Sequence, residues 1–316
     1  MAARLKDGKM KKNILVIINP VSGDGSAKNW SWDIIDILSS GFEYVTVYVS
    51  RGVGDIKRAV EENAEKYGHI VCMGGDGTLN EAINGVLKSG ADVKLGYLPL
   101  GTVNDFAGSH GIPKNVRTGL QSIVNGEASE IDAGMLGDRA FSYVAAFGAF
   151  TDVSYLTPQE LKSAIGKLAY FSEAAKRLAA LKPIRLSCTY GGKNVSGDFI
   201  YGMVSNSRTV GGIKFFHGLG DDAMSDGLVE LTLVRYPTTA AELQQAIMGL
   251  LSPSVQCDSV IKASAEHIHF CFDEPTPWTV DGEFGGEYTE ADVSVKKKAI
   301  KVIGTKPIAA KGKGND

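Results

Sequence analysis

Short apolar runs alternate with amphipathic helical patterns over the first hundred residues, and that alternation leaves few folds open. Asn13 to Ile18 reads as a buried strand, and Tyr44 to Val49, rich in β-branched residues, as a second. Asp55 to Lys66 reads as a helix, with Asp55 as N-cap and Ile56, Ala59 and Val60 on one face. His69 to Met73 is a third strand and Lys94 to Leu98 a fourth, closed by Pro99. Between them Leu79, Ile83, Val86 and Leu87 mark one face of another helix. Strands separated by helices imply a parallel sheet with crossover helices on its faces, a three-layer α/β domain.

After about residue 130 the pattern changes. Ala140 to Phe150 reads as a strand and Gln159 to Leu181 as one long helix, ended by Pro183. Short β-rich runs then follow between Gly, Asn and Asp turns: 184–190, 197–204, 227–234, 267–272, 278–280 and 293–295. They predict an antiparallel β-sandwich or split barrel, with 240–250 as a helix on it. A chain of 316 residues suits two such domains. The boundaries fall at 1–135, 136–296 and a basic end, 297–316, expected to return to the first domain and then become disordered.

Charge is unevenly spread. Residues 1–12 carry +4 and residues 296–316 carry +6, which leaves −13 on the rest of a chain whose net charge is −3. An acidic body argues against nucleic acid as a partner, whereas basic ends suit an anionic membrane surface. The longest apolar stretch, Ala140 to Phe150, has 11 residues, too short to cross a bilayer. The N-terminus lacks the apolar stretch of a signal peptide, and the four cysteines have neither CxxC spacing nor close pairing. Buried free thiols and a cytoplasmic protein are expected.

The chemistry concentrates in Gly74-Gly75-Asp76-Gly77-Thr78, between a strand and a helix. Glycines let backbone approach a phosphate, and the helix that follows aims free N–H groups at it. Asp76 would repel that phosphate unless a cation such as Mg²⁺ bridges the two. No Lys follows, so this is not a Walker A loop. Two more polar loops follow strands of the same sheet: Asn19 to Gly25, and Pro99 to Asp105. Ligands of open α/β sheets bind at carboxyl ends of strands, so the three loops point to one nucleotide site. In the second half, Asp281-Gly282-Glu283 reads either as a hairpin turn or as an acidic pair for proton abstraction and metal binding. Asp221, Asp222 and Asp226 suit either a hard cation or a solvated loop. The five histidines show no metal spacing.

In this order, the motifs resemble those of the soluble bacterial diacylglycerol kinases, within the diacylglycerol/sphingosine lipid kinase family. The resemblance runs from about Ile14 to Val302. Its carriers are Asn19 to Gly23, Gly74 to Glu81, Pro99 to Asp105, Ile131 to Gly134, Ser154 to Ser163, Asp226-Gly227 and Asp281 to Gly286. The glycine motif alone is shared with NAD kinases; the Ser154 to Ser163 stretch is more specific.

The resemblance implies a nucleotide-binding domain at 1–135 and a β-sandwich lipid-substrate domain at 136–296, with the active site between them. It implies ATP contacts from Asn19, Pro20, Val21, Ser22 and Gly23, from Ser50, from Gly75, Asp76, Gly77, Thr78, Leu79, Asn80 and Glu81, and from Thr102. Ser50 stands where the family usually has Thr. Asp76, Asp105 and Asp281 would join a catalytic Mg²⁺–water network, and Glu283 would take the proton of the lipid hydroxyl, with Asp281 as rival base. A second, structural Mg²⁺ would be held by Asp226 and the carbonyls of Ala223 and Leu228. His217 to Asp222 departs from the family's shorter segment before Asp226.

The implied activity is transfer of the γ-phosphate of ATP to the free hydroxyl of diacylglycerol, giving phosphatidic acid. The substrate would be met at the inner face of the membrane, through an apolar patch of Phe215, Phe216 and the helix 159–181. The resemblance also allows a homodimer. Two other functions remain open: NAD kinase-like phosphorylation of a soluble hydroxyl, and a non-catalytic nucleotide- or lipid-binding regulator.

Overall fold

The structure, a computed structural model, describes residues 11–149, 182–207, 210, 225–251 and 257–304. The predicted helix 159–181, the Ser154 to Ser163 motif, Phe215, Phe216, His217 to Asp222 and Ala223 lie outside the described residues. The chain divides into two compact units. The first comprises Met1–Asp132, Leu219–Asp226 and Lys298–Asp316; the second comprises Ala133–Gly218 and Gly227–Lys297.

In the first unit β1 (Lys11–Ile18), α1 (Ser31–Ser39), β2 (Phe42–Val49), α2 (Asp55–Asn63), β3 (His69–Gly74), α3 (Asp76–Ser89), β4 (Lys94–Pro99), α4 (Asp105–His110) and α5 (Val116–Asn125) follow one another, with a 3-10 helix, Gly23–Trp30, after β1. The strands pair in parallel in the order β4, β3, β1, β2. On β1 the residues from Ile14 to Ile18 are all buried, as a strand covered on both faces requires. Ile34 and Leu38 of α1 join Leu120, Ile123 and Val124 of α5 over Val16 and Val71. Leu79, Ile83 and Val86 of α3 are buried at the predicted helical spacing. One local expectation is corrected. The N-cap of α2 is Gly54, in the left-handed region at φ 80°, and Asp55 is the first helical residue. Asp55 instead accepts from the Arg51 N–H at 2.8 Å and pairs with Arg58.

The chain leaves this unit along β5 (Ala128–Leu136). The second unit contains β6 (Arg139–Phe141), β7 (Val144–Gly148), β8 (Ile184–Tyr190), β9 (Lys193–Ser205), β10 (Val229–Arg235), α6 (Ala240–Leu251), β11 (Val260–Ala265), β12 (His267–Val280) and most of β13 (Glu283–Ile303). The pairings among β7 to β13 here are antiparallel. Both β9 and β12 pair with β7 and with β8, so these four strands close on themselves. They enclose Phe147, Phe199, Phe270 and Trp278, each below 2% exposed. Phe147 and Trp278 ring centres lie 4.8 Å apart, and Phe270 and Trp278 5.3 Å. Each such ring buries about 150–250 Å². The end of β13 belongs to the first unit, where Lys301–Ile303 pairs in parallel with Lys94–Gly96.

Several elements differ from the sequence reading: α1, α5 and β5 lie where no element was expected, and the run 293–295 is part of the 21-residue β13. The strand expected over 140–150 is two strands, β6 and β7, broken at Ser142-Tyr143. The runs 267–272 and 278–280 are one strand, β12, whose register with β13 shifts between Cys271 and Thr276 beside Pro275. Proline cannot donate to the ladder, so an irregular register is the natural result. β11 has few fully buried residues and escaped the apolar pattern.

Candidate functional site

Each unit carries one part of the predicted chemistry. In the first unit three loops leave the carboxyl ends of β1, β3 and β4 and are tied together. The Asn19 N–H donates to Met73 O at 3.0 Å, and its side-chain Nδ2 donates to Thr78 Oγ1 at 3.0 Å. The Leu100 N–H donates to Gly74 O at 2.7 Å. Asn19 Oδ1 accepts from the Val21 N–H at 3.2 Å, which folds the first loop on itself. The second and third loops touch at two glycines: a Cβ on Gly101 would sit 2.7 Å from Gly75 Cα and 2.8 Å from Asn104 Oδ1. Only glycine permits this approach.

Asp76 is the first residue of α3 and Asp105 the first of α4. Both carboxylates therefore stand at helix N-termini reached from the paired glycine loops. Asp105 is buried and Asp76 half-buried. Asn80 and Leu79 are buried in the first turns of α3 and Ser50 is buried, with its N–H donating to Ile18 O at 2.9 Å. Val21 and Thr102 are exposed. Glu81 is engaged elsewhere: its carboxylate accepts from the N–H groups of Gly54, Ile56 and Lys57 at 2.8, 3.1 and 3.3 Å. It caps α2, whose own cap residue has no side chain to do so.

Asn104 is a positioning residue missing from the predicted set. It occupies the left-handed region at φ 56° and ψ 55°. Its Oδ1 accepts from the Gly101 N–H at 2.9 Å and from Tyr97 Oη at 3.1 Å, and its Nδ2 donates to Gly101 O. Asparagine tolerates this backbone better than other side chains. That tolerance, just before an acidic helix start, was the available signal.

In the second unit Asp281 and Gly282 form the two-residue turn between β12 and β13, with φ of 51° and 85°. Positive φ at both positions is the requirement of a tight hairpin, and Asp-Gly meets it. The Asp281 carboxylate is buried beneath the turn. One oxygen accepts from the Ser142 N–H at 2.6 Å and Ser142 Oγ at 2.7 Å; the other accepts from the Tyr143 and Val144 N–H groups, both at 3.0 Å. Burial pushes its pKa up, while these four donors pull the other way. The bonds also explain why the chain breaks between β6 and β7. Glu283, by contrast, is exposed, and Arg139 lies 3.8 Å from its carboxylate. Arg139 also donates to Phe284 O at 2.8 Å, which steadies the far side of the turn.

Asp226 is exposed and Leu228 half-buried, just before β10. Among the described residues no group of three or more His, Cys, Asp and Glu is placed to hold a metal. Mg²⁺ in a nucleotide site takes one or two carboxylates together with phosphate oxygens, so Asp76 and Asp105 fit it without a third protein acid. Of the four free thiols, Cys72 and Cys188 are buried, as expected, and burial pushes both up to about 12; Cys257 and Cys271 are half-buried. Among the described residues no helix is long and apolar enough to cross a membrane.

Residues 13–136 match the family described as diacylglycerol kinase catalytic domain. A diacylglycerol kinase of Staphylococcus aureus is 34% identical over 286 residues, covering 88% of each chain. The chain belongs to the diacylglycerol kinase family. It is an enzyme, a kinase of that family. A diacylglycerol kinase of Bacillus subtilis is 29% identical over 277 residues, 87% of this chain and 91% of that one. The crystal structure of a diacylglycerol kinase from Bacillus anthracis aligns over 94% of this chain and 98% of its own, with a TM-score of 0.74 at 20% identity, and so shares the fold.

Proposed function

We propose that the chain is an ATP- and Mg²⁺-dependent lipid kinase that phosphorylates the free hydroxyl of diacylglycerol, giving phosphatidic acid and ADP. The observation that carries the nucleotide part is the contact of two glycine loops at Gly75 and Gly101, each leading into a helix headed by an aspartate. Bare backbone and helix N-termini suit a triphosphate. The lipid part rests on the relatives, which are named diacylglycerol kinases over most of this chain's length. The first unit is then the nucleotide domain and the second the lipid domain.

By this reading Asn19 to Gly23, Gly75 to Thr78 and Thr102 contact the nucleotide. Asp76 and Asp105 would hold Mg²⁺, which when bound would supply positive charge to offset that of the phosphates. Glu283 is the base. As the hydroxyl oxygen bonds to the γ-phosphorus, its proton passes to the Glu283 carboxylate, and ADP departs with the bridging oxygen. Asp281 is poorly suited to that step, because each of its oxygens already accepts two hydrogen bonds. Its work is to hold the turn that presents Glu283. Asp226 and the Leu228 carbonyl would hold a second cation. The product would form at the bilayer surface on the cytoplasmic side.

The test is phosphate transfer from radiolabelled ATP to diacylglycerol in mixed micelles. Glu283→Gln should lower kcat about 10²–10⁴-fold, the usual worth of a general base, without changing the melting temperature. Asp281→Asn should lower both. Wild-type turnover in Glu283→Gln would remove Glu283 from the chemistry, and transfer to NAD in place of the lipid would remove the lipid assignment.

A further inference from the structure

The parallel sheet of the first unit has a second rim, where its strands begin, and a cavity of about 750 Å³ opens there. Lys11 begins β1, His69 begins β3 and Lys94 begins β4, and all three line it. Lys298 and Lys301 of β13 line it as well. At about 3.3 Å per residue, strands of six residues put this rim roughly 20 Å from the glycine loops.

The cations here are not all matched. Lys301 pairs with Asp92 at 2.7 Å. Lys11 Nζ donates to the carbonyl oxygens of Val124 and Ile123 at 3.0 and 3.5 Å and lies 5.2 Å from the centre of the Phe42 ring. The ammonium groups of Lys94 and Lys298 make no ion pair and no side-chain hydrogen bond among the described residues. Glu127 and Glu130 line the cavity too, and Glu130 acts on Lys301. Among the residues that line the cavity, four ammonium groups thus face two carboxylates, a cationic excess; Asp92, which pairs with Lys301 and also feels Lys94, and Asp132 stand beside the cavity outside its lining.

His69 registers that excess. Its ring meets the Phe42 ring edge-on at 5.1 Å, and its buried Nε2 has no hydrogen-bond partner among the described residues. Burial first, then the ammonium groups of Lys11 and Lys94, hold its pKa down to about 4. Lys298 adopts the left-handed region at φ 49°, unfavourable for a lysine, and its N–H is fixed by Asp132 Oδ1 at 2.7 Å. The backbone is thus pinned at a lysine that lines the cavity.

We propose that this cavity is a second ligand site, separate from the nucleotide loops, that takes a phosphate-bearing anion held by Lys94, Lys298 and Lys11. A compact anion suits a group of ammonium ions that reach it from three strands, and its charge supplies what the lining lacks. The anion is either a soluble phosphate compound or the phosphate of a lipid headgroup. The proposal does not depend on the kinase reading, because none of these residues belongs to it.

His69 is the probe. Its imidazole resonances, assigned with His69→Gln, are titrated by NMR in the full chain, in inorganic phosphate and in chloride at matched ionic strength. Phosphate should raise the His69 pKa from about 4 to about 5–6, the change expected of an opposite charge within about 4–6 Å. The double variant Lys94→Gln, Lys298→Gln, both at exposed positions, should lose that response while keeping the wild-type melting temperature. An identical His69 titration in the two salts, or an equal response in the double variant, would overturn the site. Sedimentation with phosphatidylglycerol and phosphatidylcholine vesicles then identifies the source. Retention on phosphatidylglycerol by wild type and not by the double variant assigns a headgroup; a phosphate response without such retention assigns a soluble compound.

Discussion

At the level of single residues, the glycine contact makes the sharpest claim. Gly101 has no room for a methyl group, because the atoms in the way are Gly75 Cα and the Asn104 amide, which itself grips Gly101 on both sides. Gly101→Ala must push two loops apart, and overpacking of this kind costs about 1–3 kcal/mol. Gly108, in α4, has nothing within 4 Å of its missing Cβ and a normal helical backbone. Gly108→Ala should be neutral or stabilise by up to about 1 kcal/mol. Thermal melts and ATP titrations of the two variants check the pair. Gly101→Ala should lose both stability and nucleotide affinity, and wild-type affinity there would mean that the loops do not form the cradle. The motif Gly74 to Thr78 was legible in the sequence because glycine, aspartate and a helix start are local signals. The environment of Asp281 was not, since its four donors sit 137 to 139 residues away in the chain.

The elements show the same division between local and distant causes. Helix α3 was readable from the spacing of Leu79, Ile83 and Val86, and β1, β3 and β4 from unbroken apolar runs, because burial on both faces imprints itself on composition; β2, mostly exposed, was readable from its β-branched and aromatic residues instead. The start of α2 was misread because its cap comes from another helix. Glu81, on α3, supplies the acceptor that a local Asp was expected to give. The family resemblance assigns Glu81 to ATP, whereas its hydrogen bonds assign it to α2, and the two roles separate experimentally. Glu81→Ala leaves three N–H groups at the head of α2 without their acceptor, a loss of about 0.5–2 kcal/mol. The melting temperature should fall while the KM for ATP stays near wild type. A raised KM at an unchanged melting temperature would return Glu81 to the nucleotide.

Across the whole molecule, the chain order and the fold do not run in step. The first unit is completed by residues almost 170 positions after its main segment ends, since Lys298 follows Asp132 in that unit's β-structure and donates to its carboxylate. The sequence hinted at this only through a short apolar run, Ile300, Val302 and Ile303, inside a basic stretch. All three side chains are buried, and Val302 is paired with Leu95 of β4. Full burial of such side chains is worth about 1.5–3 kcal/mol each, so their joint loss is comparable with the whole stability of a typical domain, about 5–15 kcal/mol. It would also bare the edge of β4 and strand Asp92 without Lys301. Truncation after Lys298 should therefore unfold the first unit selectively, because every residue of the second remains. Limited proteolysis should cut first within 11–132, with fragments from 227–297 persisting, and ATP binding should disappear. Equal protection of both regions in the truncated chain would show that the last residues of β13 decorate the sheet rather than complete it.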